Sequence, residues 1–592
     1  GFINIVVLCL SLVSTVASAQ LPDKTIGTIE KAMKDELQRS KDKLHLAGLI
    51  DPFYISYSVT DTRHLDVAAS FGSLTRSVEN HTRTLNLRLL INNYQFNDEN
   101  FTDASSLFGG GSSVDMNLPI DDDYGVIRRS FWLATDDLFK DANETFTKKK
   151  AALERKQLSE EDKNLADFSK APKVEVIEAP AAYTANKAQL EQLVKVISEV
   201  FVKYKKIQNC SVTLSYNNVY RIQLSTEEAH NRFPLTECNV TVQATAQAEE
   251  DGEPLSLAFT ISELTPGDIP AQDILVDRTE TLAKNLTALA QAKKYDGKEY
   301  SGPVLFEDQA ANDFISEQII AKFSAKREDV LGSGDVYFGA SGKGPSFQKK
   351  LETRILPTSV SVTDNPIPDN YAQMPWIGKY KVDEEGIAPK KLELVKNGIL
   401  KTLYMTRTPT KEVKDPNGHS RPASGGLSGQ IPGAGVVEIT DEKAKASADL
   451  KKELLKIAKE DGYDFAIVVR SMQQGMLNFS EGMSSVADLM DAGKAMQPAL
   501  VYKIYADGHE ELLRGIEINF PTTRDLKELQ FSKEKSIRNL QIAAGGTTSL
   551  FGISSKVPAT LIAPDKILVP ELEARKKQSQ AYPIKPIVEK PQ

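Results

Sequence analysis

The chain has 592 residues, enough for roughly two to four folding units that each bury a core. Its 41% hydrophobic and 26% charged content is ordinary for a globular protein. A formal net charge of -9 and a pI near 5.5 exclude the clustered basic surface on which nucleic-acid binding depends. The basic runs, Lys148-Lys149-Lys150 and Lys349-Lys350, are short and read as solvated helix faces.

The first feature along the chain is the apolar run FINIVVLCLSLV, followed by Ala17-Ser18-Ala19. An apolar run ending in A-x-A predicts a secretory signal peptide over residues 1–19, with a mature protein starting near Gln20 that is exported, periplasmic or secreted. The run falls short of the about 20 residues of a membrane helix, and no later stretch is apolar enough to span a bilayer. Beyond it only Cys210 and Cys238 remain. In an exported protein a lone pair is most simply a disulfide, here between neighbouring strands, with two buried free thiols as the alternative.

Residues 24–48 carry Ile26, Ile29, Met33, Leu37 and Leu44 at helical spacing, with Gly48 as a stop. Strands are predicted at 53–59, 64–72 and 83–91, the last two alternating as a half-buried antiparallel sheet does. LFGGGSS (107–113) reads as a loop and IDDDYG as a solvated acidic turn, since its spacing lacks the pattern of an EF-hand. A charged helix is predicted over 135–163, and the apolar-poor stretch 159–182 reads as a domain connection. A helix near 187–205, strands near 211–217, 219–225, 238–246 and 255–262, and a helix over 276–294 then form a second unit. From about 297 a third unit follows, with hairpins signalled by Asn397-Gly398 and Asp507-Gly508. The predicted organisation is therefore a signal peptide (1–19), an N-terminal α+β domain (20–165), a middle α+β domain (166–296), a β-rich C-terminal domain (297–573) and a loose tail (574–592). The fold class is α+β, with mainly antiparallel sheets and packed helices.

Motifs for chemistry are sparse. GLSGQ (426–430) and GASGKG (339–344) break the spacing of a nucleophile elbow, and the latter fails as a phosphate loop. No G-x-G-x-x-G follows a strand, so no cofactor is expected. Among His45, His64, His81, His230, His419 and His509, no two lie at metal-binding spacing. His419, in DPNGHSRPASGG, is the most suggestive, although a solvent-exposed loop histidine is the simpler reading.

Several stretches, in order, resemble the TldD/PmbA family of metallopeptidase-related proteins: DDDYGVIRRSFWLATDDLFKDA, YSGPVLFEDQAANDFI, SVTDNPIPDNYAQMPWIGKYKVDEEGIAPKKLELVKNGILKTLYMTR and LLRGIEINFPTTRDLKELQF. The resemblance spans nearly the whole mature chain and implies that family's multi-domain architecture. It also locates a metal motif, H-E-x-x-x-H, where this chain reads FEDQAA. Phe306 and Ala311 stand where the family has histidines, and only Glu307 is retained. A further family ligand, a cysteine in a Gly-rich segment, has no counterpart in SLFGISSKVPATL. Zinc catalysis needs about three protein ligands and an open position, so no metal is expected and Glu307 reads as a carboxylate at a helix N-terminus.

The resemblance is strongest to the PmbA or TldE type, which lacks the motif. It implies a non-catalytic subunit that pairs with a metal-bearing TldD-like partner in a hetero-oligomer, or a homodimer, handling peptides. Two other functions stay open. One is a peptidase whose site gathers Glu307, His419, Asp383, Glu384 and Glu385; the other is a stand-alone peptide-binding protein.

Overall fold

The computed structural model describes residues 20–102, 113–155, 159–297, 299–332, 346–368, 373–422, 430–473, 495–548 and 554–577. The predicted signal peptide, most of the 107–113 loop, GASGKG, nearly all of GLSGQ, and the start of SLFGISSKVPATL lie outside the described residues, as does the chain beyond 577.

The first half comprises α1 (Asp23–Lys43), β1 (Pro52–Ser70), β2 (Ser73–Ile91), β3 (Ser113–Leu118), α2 (Tyr124–Arg155), β4 (Glu175–Ile177), α3 (Lys187–Glu199), β5 (Ile207–Ser225), β6 (His230–Gln247), β7 (Pro254–Glu263) and α4 (Gln272–Gln291). Its strands form one seven-stranded sheet in the order β3-β2-β1-β5-β6-β4, with β7 also paired to β6. The strands predicted at 53–59 and 64–72 are one continuous strand, β1, and those at 211–217 and 219–225 are likewise one, β5. The polar centre of β1 reads as a break in sequence but has its partners across the sheet. Arg83 is opposite Asp61 and donates to its carboxylate at 2.9 Å, and also reaches Pro119 O and Asp122. With those groups satisfied the ladder continues. One face of β1 then carries two apolar patches: Ile55, Tyr57 and Val59 pack with α1 and α2, while Leu65, Val67 and Ala69 pack with α3 and α4.

This sheet corrects the boundary predicted at 165. β1 pairs with β5 from Ser56↔Ser225 to Ala69↔Val212, so the segments read as two domains share a single sheet. The predicted connection over 159–182 is also structured. It contributes β4 and the buried Phe168, whose ring packs on Tyr54 and Tyr94.

The C-terminal half contains β8 (Tyr300–Glu307), α5 (Asp308–Gln318), β9 (Val360–Asp364), β10 (Leu392–Lys396), β11 (Ile399–Leu400), β12 (Val436–Asp441), α6 (Ser447–Glu460), β13 (Phe465–Met472), β14 (Pro498–Tyr505), β15 (Glu510–Arg514), β16 (Ile516–Asn519), β17 (Lys535–Thr548), β18 (Ser554–Pro564) and β19 (Lys566–Lys576). One sheet runs β16-β19-β8-β13-β14-β15, extended by short strands at its edges, and a second runs β11-β10-β9-β12-β18-β17. Alternation along the central strands divides the core. Val304, Phe306, Ile467 and Val469 join the large core that includes the second sheet and α5, whereas Leu305, Ala466, Val468 and Leu568 pack beneath Leu450, Leu454 and Ala458 of α6. The Asn397-Gly398 turn forms as expected, with φ of 49° and 78°. A Cβ at Gly398 would lie 2.4 Å from Leu356 O, so glycine is required there for space as well as for conformation. The tail expected to loosen after Glu573 remains strand to Lys576, because Ala574 is buried and paired to both Tyr300 and Ile518.

The predicted disulfide is absent. Cys210 lies opposite Ala244 and Cys238 opposite Tyr216, six rungs apart along β5 and β6. At about 3.4 Å per residue this places them roughly 20 Å apart, far beyond disulfide reach. Both are buried thiols outside any disulfide, and burial raises the Cys238 thiol to about 12.

Candidate functional site

β8 delivers Glu307 to a sharp strand-to-helix joint. Asp308 opens α5 with φ of 51° and its N–H donates to Asp565 O at 2.9 Å. Phe306 and Glu307 therefore point to opposite faces of the sheet. Phe306 is 0% exposed and packs on Phe314 with ring centroids 4.8 Å apart, and Ala311, also 0% exposed, lies in the same core. Neither position offers a lone pair, and both are enclosed by hydrocarbon.

Glu307 faces the other way. One carboxylate oxygen accepts from Lys566 Nζ at 2.9 Å and the other from Arg470 Nε at 3.0 Å. Burial alone would raise its pKa, but Lys566 and Arg470 outweigh that effect and hold the carboxyl below its usual range. Arg470 continues to Glu510, which also takes Lys451. The retained glutamate is thus an ionised member of a charge network with both oxygens engaged, unlike a base awaiting a proton. The residues at this joint do not fit a zinc ion. Among the described residues no three His, Cys, Asp or Glu side chains are grouped to hold a metal. The expected reading of Glu307 as a helix N-terminal carboxylate is therefore only part of its role: its partners are two side-chain cations.

The second group of candidates is elsewhere in the C-terminal unit. Asp383 is buried and accepts the backbone N–H groups of Glu385, Ile387 and Ser420 at 2.8–3.1 Å. Burial and the nearby Glu385 push its carboxyl up to about 7 despite those donors. Glu384 pairs with Arg221 of β5, and Glu385 pairs with Arg88 of β2 while accepting the Arg407 N–H at 2.6 Å. The acidic turn is therefore a plug inserted against the polar face of the N-terminal sheet, since Arg88 and Arg221 alternate with the residues that pack on α1 and α2.

His419 is neither exposed nor on a loose loop. It is fully buried between Tyr380 and Tyr404, with one ring nitrogen 3.2 Å from Tyr380 Oη and the other 3.0 Å from Lys390 O. Burial lowers its pKa, favouring the neutral ring. It joins the Asp383 group through the adjacent Ser420, whose N–H bonds to Asp383 and whose carbonyl accepts from Glu384. Glu307 has its own separate partners. The five residues considered for a peptidase site thus divide into an ion network and a buried structural plug.

Reading the sequence did not single out Arg88, Glu99, Arg407 or Asp364. Arg407 stacks over Phe168 at 4.0 Å and pairs with Glu227, and Asp364 accepts from Tyr404 Oη and from the N–H groups of Gly435 and Val436. Arg88 keeps the alternation of RTLNLRLLI, on the face opposite Leu85, Leu87 and Leu89, so nothing local sets it apart from an ordinary solvated residue.

Residues 298–488 match the model of the PmbA/TldA metallopeptidase C-terminal domain. No curated protein sequence matches the chain significantly. The fold is similar to that of a Thermotoga maritima protein provisionally labelled a modulator of DNA gyrase, at 15% identity and a TM-score of 0.57, over 92% of this chain and 100% of that one. It is also similar to TldE of Thermococcus kodakarensis, at 12% identity and a TM-score of 0.55, over 92% and 99% of the two chains. A Bacteroides thetaiotaomicron protein with the same provisional gyrase label matches at 12% identity and a TM-score of 0.56, over 94% and 99%. At such identities the solved structures speak for the fold, while the domain match speaks for descent. Residues 298–488 thus carry a C-terminal domain of the PmbA/TldA metallopeptidase type, in a chain whose overall fold is similar to that of these solved structures.

Proposed function

We propose that the protein is an exported, non-catalytic member of its metallopeptidase-related family, a TldE-like subunit that supports proteolysis by a metal-bearing TldD-like partner. The observation that carries this reading is the pair of positions 306 and 311. The resemblance places metal ligands there, and this chain has a phenylalanine and an alanine sealed in a dry core. Glu307, bound by Lys566 and Arg470, has no metal-activated water to deprotonate. A peptidase built from Glu307, His419 and the 383–385 run finds no support in their separate partners.

The test begins with mature protein, residues 20–592, purified without a metal-affinity tag. Near-zero zinc and no hydrolysis of a broad peptide panel are expected. A pulldown from the native source should then recover a metal-bearing relative. Stoichiometric zinc, or hydrolysis abolished by Glu307→Gln, would refute the non-catalytic reading, and repeated failure to recover such a relative would leave a stand-alone peptide binder.

A further inference from the structure

The long helix α2 carries apolar side chains on the side turned away from the sheet. Ile127, Phe131, Ala134 and Leu138 face the core, whereas Val126 and Leu133, about two turns apart, are 48% and 45% exposed on the opposite side. Trp132, at 42%, flanks Leu133, and Ile120, at 53%, stands just before the helix. Single exposed apolar residues are ordinary on a protein surface. Four along one short segment, a tryptophan among them, mark a contact surface.

The charges along this seam identify what it meets. Arg129 and Asp137 are both exposed and lie four residues to either side of Leu133, one turn before it and one turn after. Neither has a hydrogen-bond or ion-pair partner among the described residues, while the adjacent Asp136 is taken by Lys140 at 2.5 Å. Two such helices crossing antiparallel about a two-fold axis at Leu133 would bring together residues equally distant from it. Arg129 of each copy then lies opposite Asp137 of the other, giving two identical ion pairs. Lys140, seven residues beyond Leu133, lies opposite Val126, seven residues before it, and its methylene stem covers the valine. The antiparallel sense also opposes the two helix dipoles, which is their favourable arrangement. A parallel, in-register crossing would instead set Arg129 against Arg129 and Asp137 against Asp137. The seam is complementary to itself in one orientation.

We propose that α2 is a self-association surface on which a second copy of this chain docks antiparallel, with Leu133 on the two-fold axis and Arg129 facing Asp137. The inference stands apart from the non-catalytic reading, since it rests on α2 alone. The apolar residues supply the affinity and the charges fix the orientation. One helix pair is a small contact, so the dimer is weak and depends on concentration.

The test is analytical ultracentrifugation of mature protein, residues 20–592, across a concentration series. Reversible dimerisation is expected. Arg129→Asp and Asp137→Arg should each weaken it about tenfold, because each turns two attractive contacts into two repulsive ones, and the double variant should regain most of the loss. As a second measurement, Leu133→Cys should give a disulfide-linked dimer under mild oxidation, since a residue on the axis meets its own copy and the native Cys210 and Cys238 are buried. Thr281→Cys, at an exposed position of α4, should give none. A monomer at every concentration, single reversals without effect, a double variant that stays weak, or equal linkage from positions 133 and 281 would overturn the proposal. Linkage of Leu133→Cys to a different chain alone, when a metal-bearing relative is supplied, would assign the face to that partner and overturn self-association.

Discussion

Two strand ends in this molecule, the joint at 306–311 and the wall at 86–99, show opposite treatments of a functional-looking position. At the joint, β8 turns its side chain at 306 into a hydrocarbon core and its glutamate at 307 into a pair of cations, so every valence is closed. At the wall, β2 turns Arg88 toward an acidic cavity that Asp329 and Glu385 also line, and its partner Glu99 keeps one buried oxygen without a donor. The region that resembles a catalytic motif is chemically complete, and the region with no motif is the incomplete one. Resemblance to a motif and completeness of the local chemistry are therefore separate properties of a position.

The largest expected effect tests the completeness of the joint. Phe306→Ala should cost about 3–5 kcal/mol in urea denaturation, the usual range for emptying a buried aromatic site. A loss below about 1 kcal/mol would mean that the core there is not closed. Restoring the family pattern with Phe306→His and Ala311→His should likewise destabilise and should bind no zinc in a metal assay, because imidazoles would be buried without partners.

A smaller effect is expected at the glutamate. Glu307→Gln should cost about 1–2 kcal/mol at pH 7, since Arg470 and Lys566 are partly solvated and screen the loss. The folded pKa of Glu307 is depressed, so its contribution is complete above the unfolded value of about 4.3 and is lost as pH falls through the lower folded value. Wild type and variant stabilities should therefore converge in acid. A difference that persists unchanged at pH 2–3 would show that the ion pairs are not its source.

At the wall the expected effect is smaller still. Asp329→Asn keeps an acceptor for Thr102 and should change stability by less than about 1 kcal/mol. The smallest effect concerns the cysteines. Mature protein should yield two thiols on denaturation without reductant, and reductant should leave its stability unchanged. A single disulfide by mass would contradict the register of β5 and β6.

Sequence reading reached the fold class because alternation and helical periodicity are local, and the Asn397-Gly398 turn because its φ values restrict the residues that fit. It also located the joint at Glu307, since the identities at 306, 307 and 311 suffice to say that imidazoles are missing. It divided β1 in two because the chain around Asp61 is polar, and nothing local reveals that Arg83 lies opposite. It separated two domains at 165 because the pairing of β1 with β5 joins residues more than a hundred positions apart. It joined Cys210 to Cys238 because both precede strands, when only the register shows them six rungs apart. What the sequence determined by itself was composition, periodicity and the absence of ligating side chains, all fixed by residue identity. Which charges are neutralised, whether His419 is buried, and where an acidic cavity remains were decided by tertiary structure, because burial and pairing depend on distant segments meeting in space.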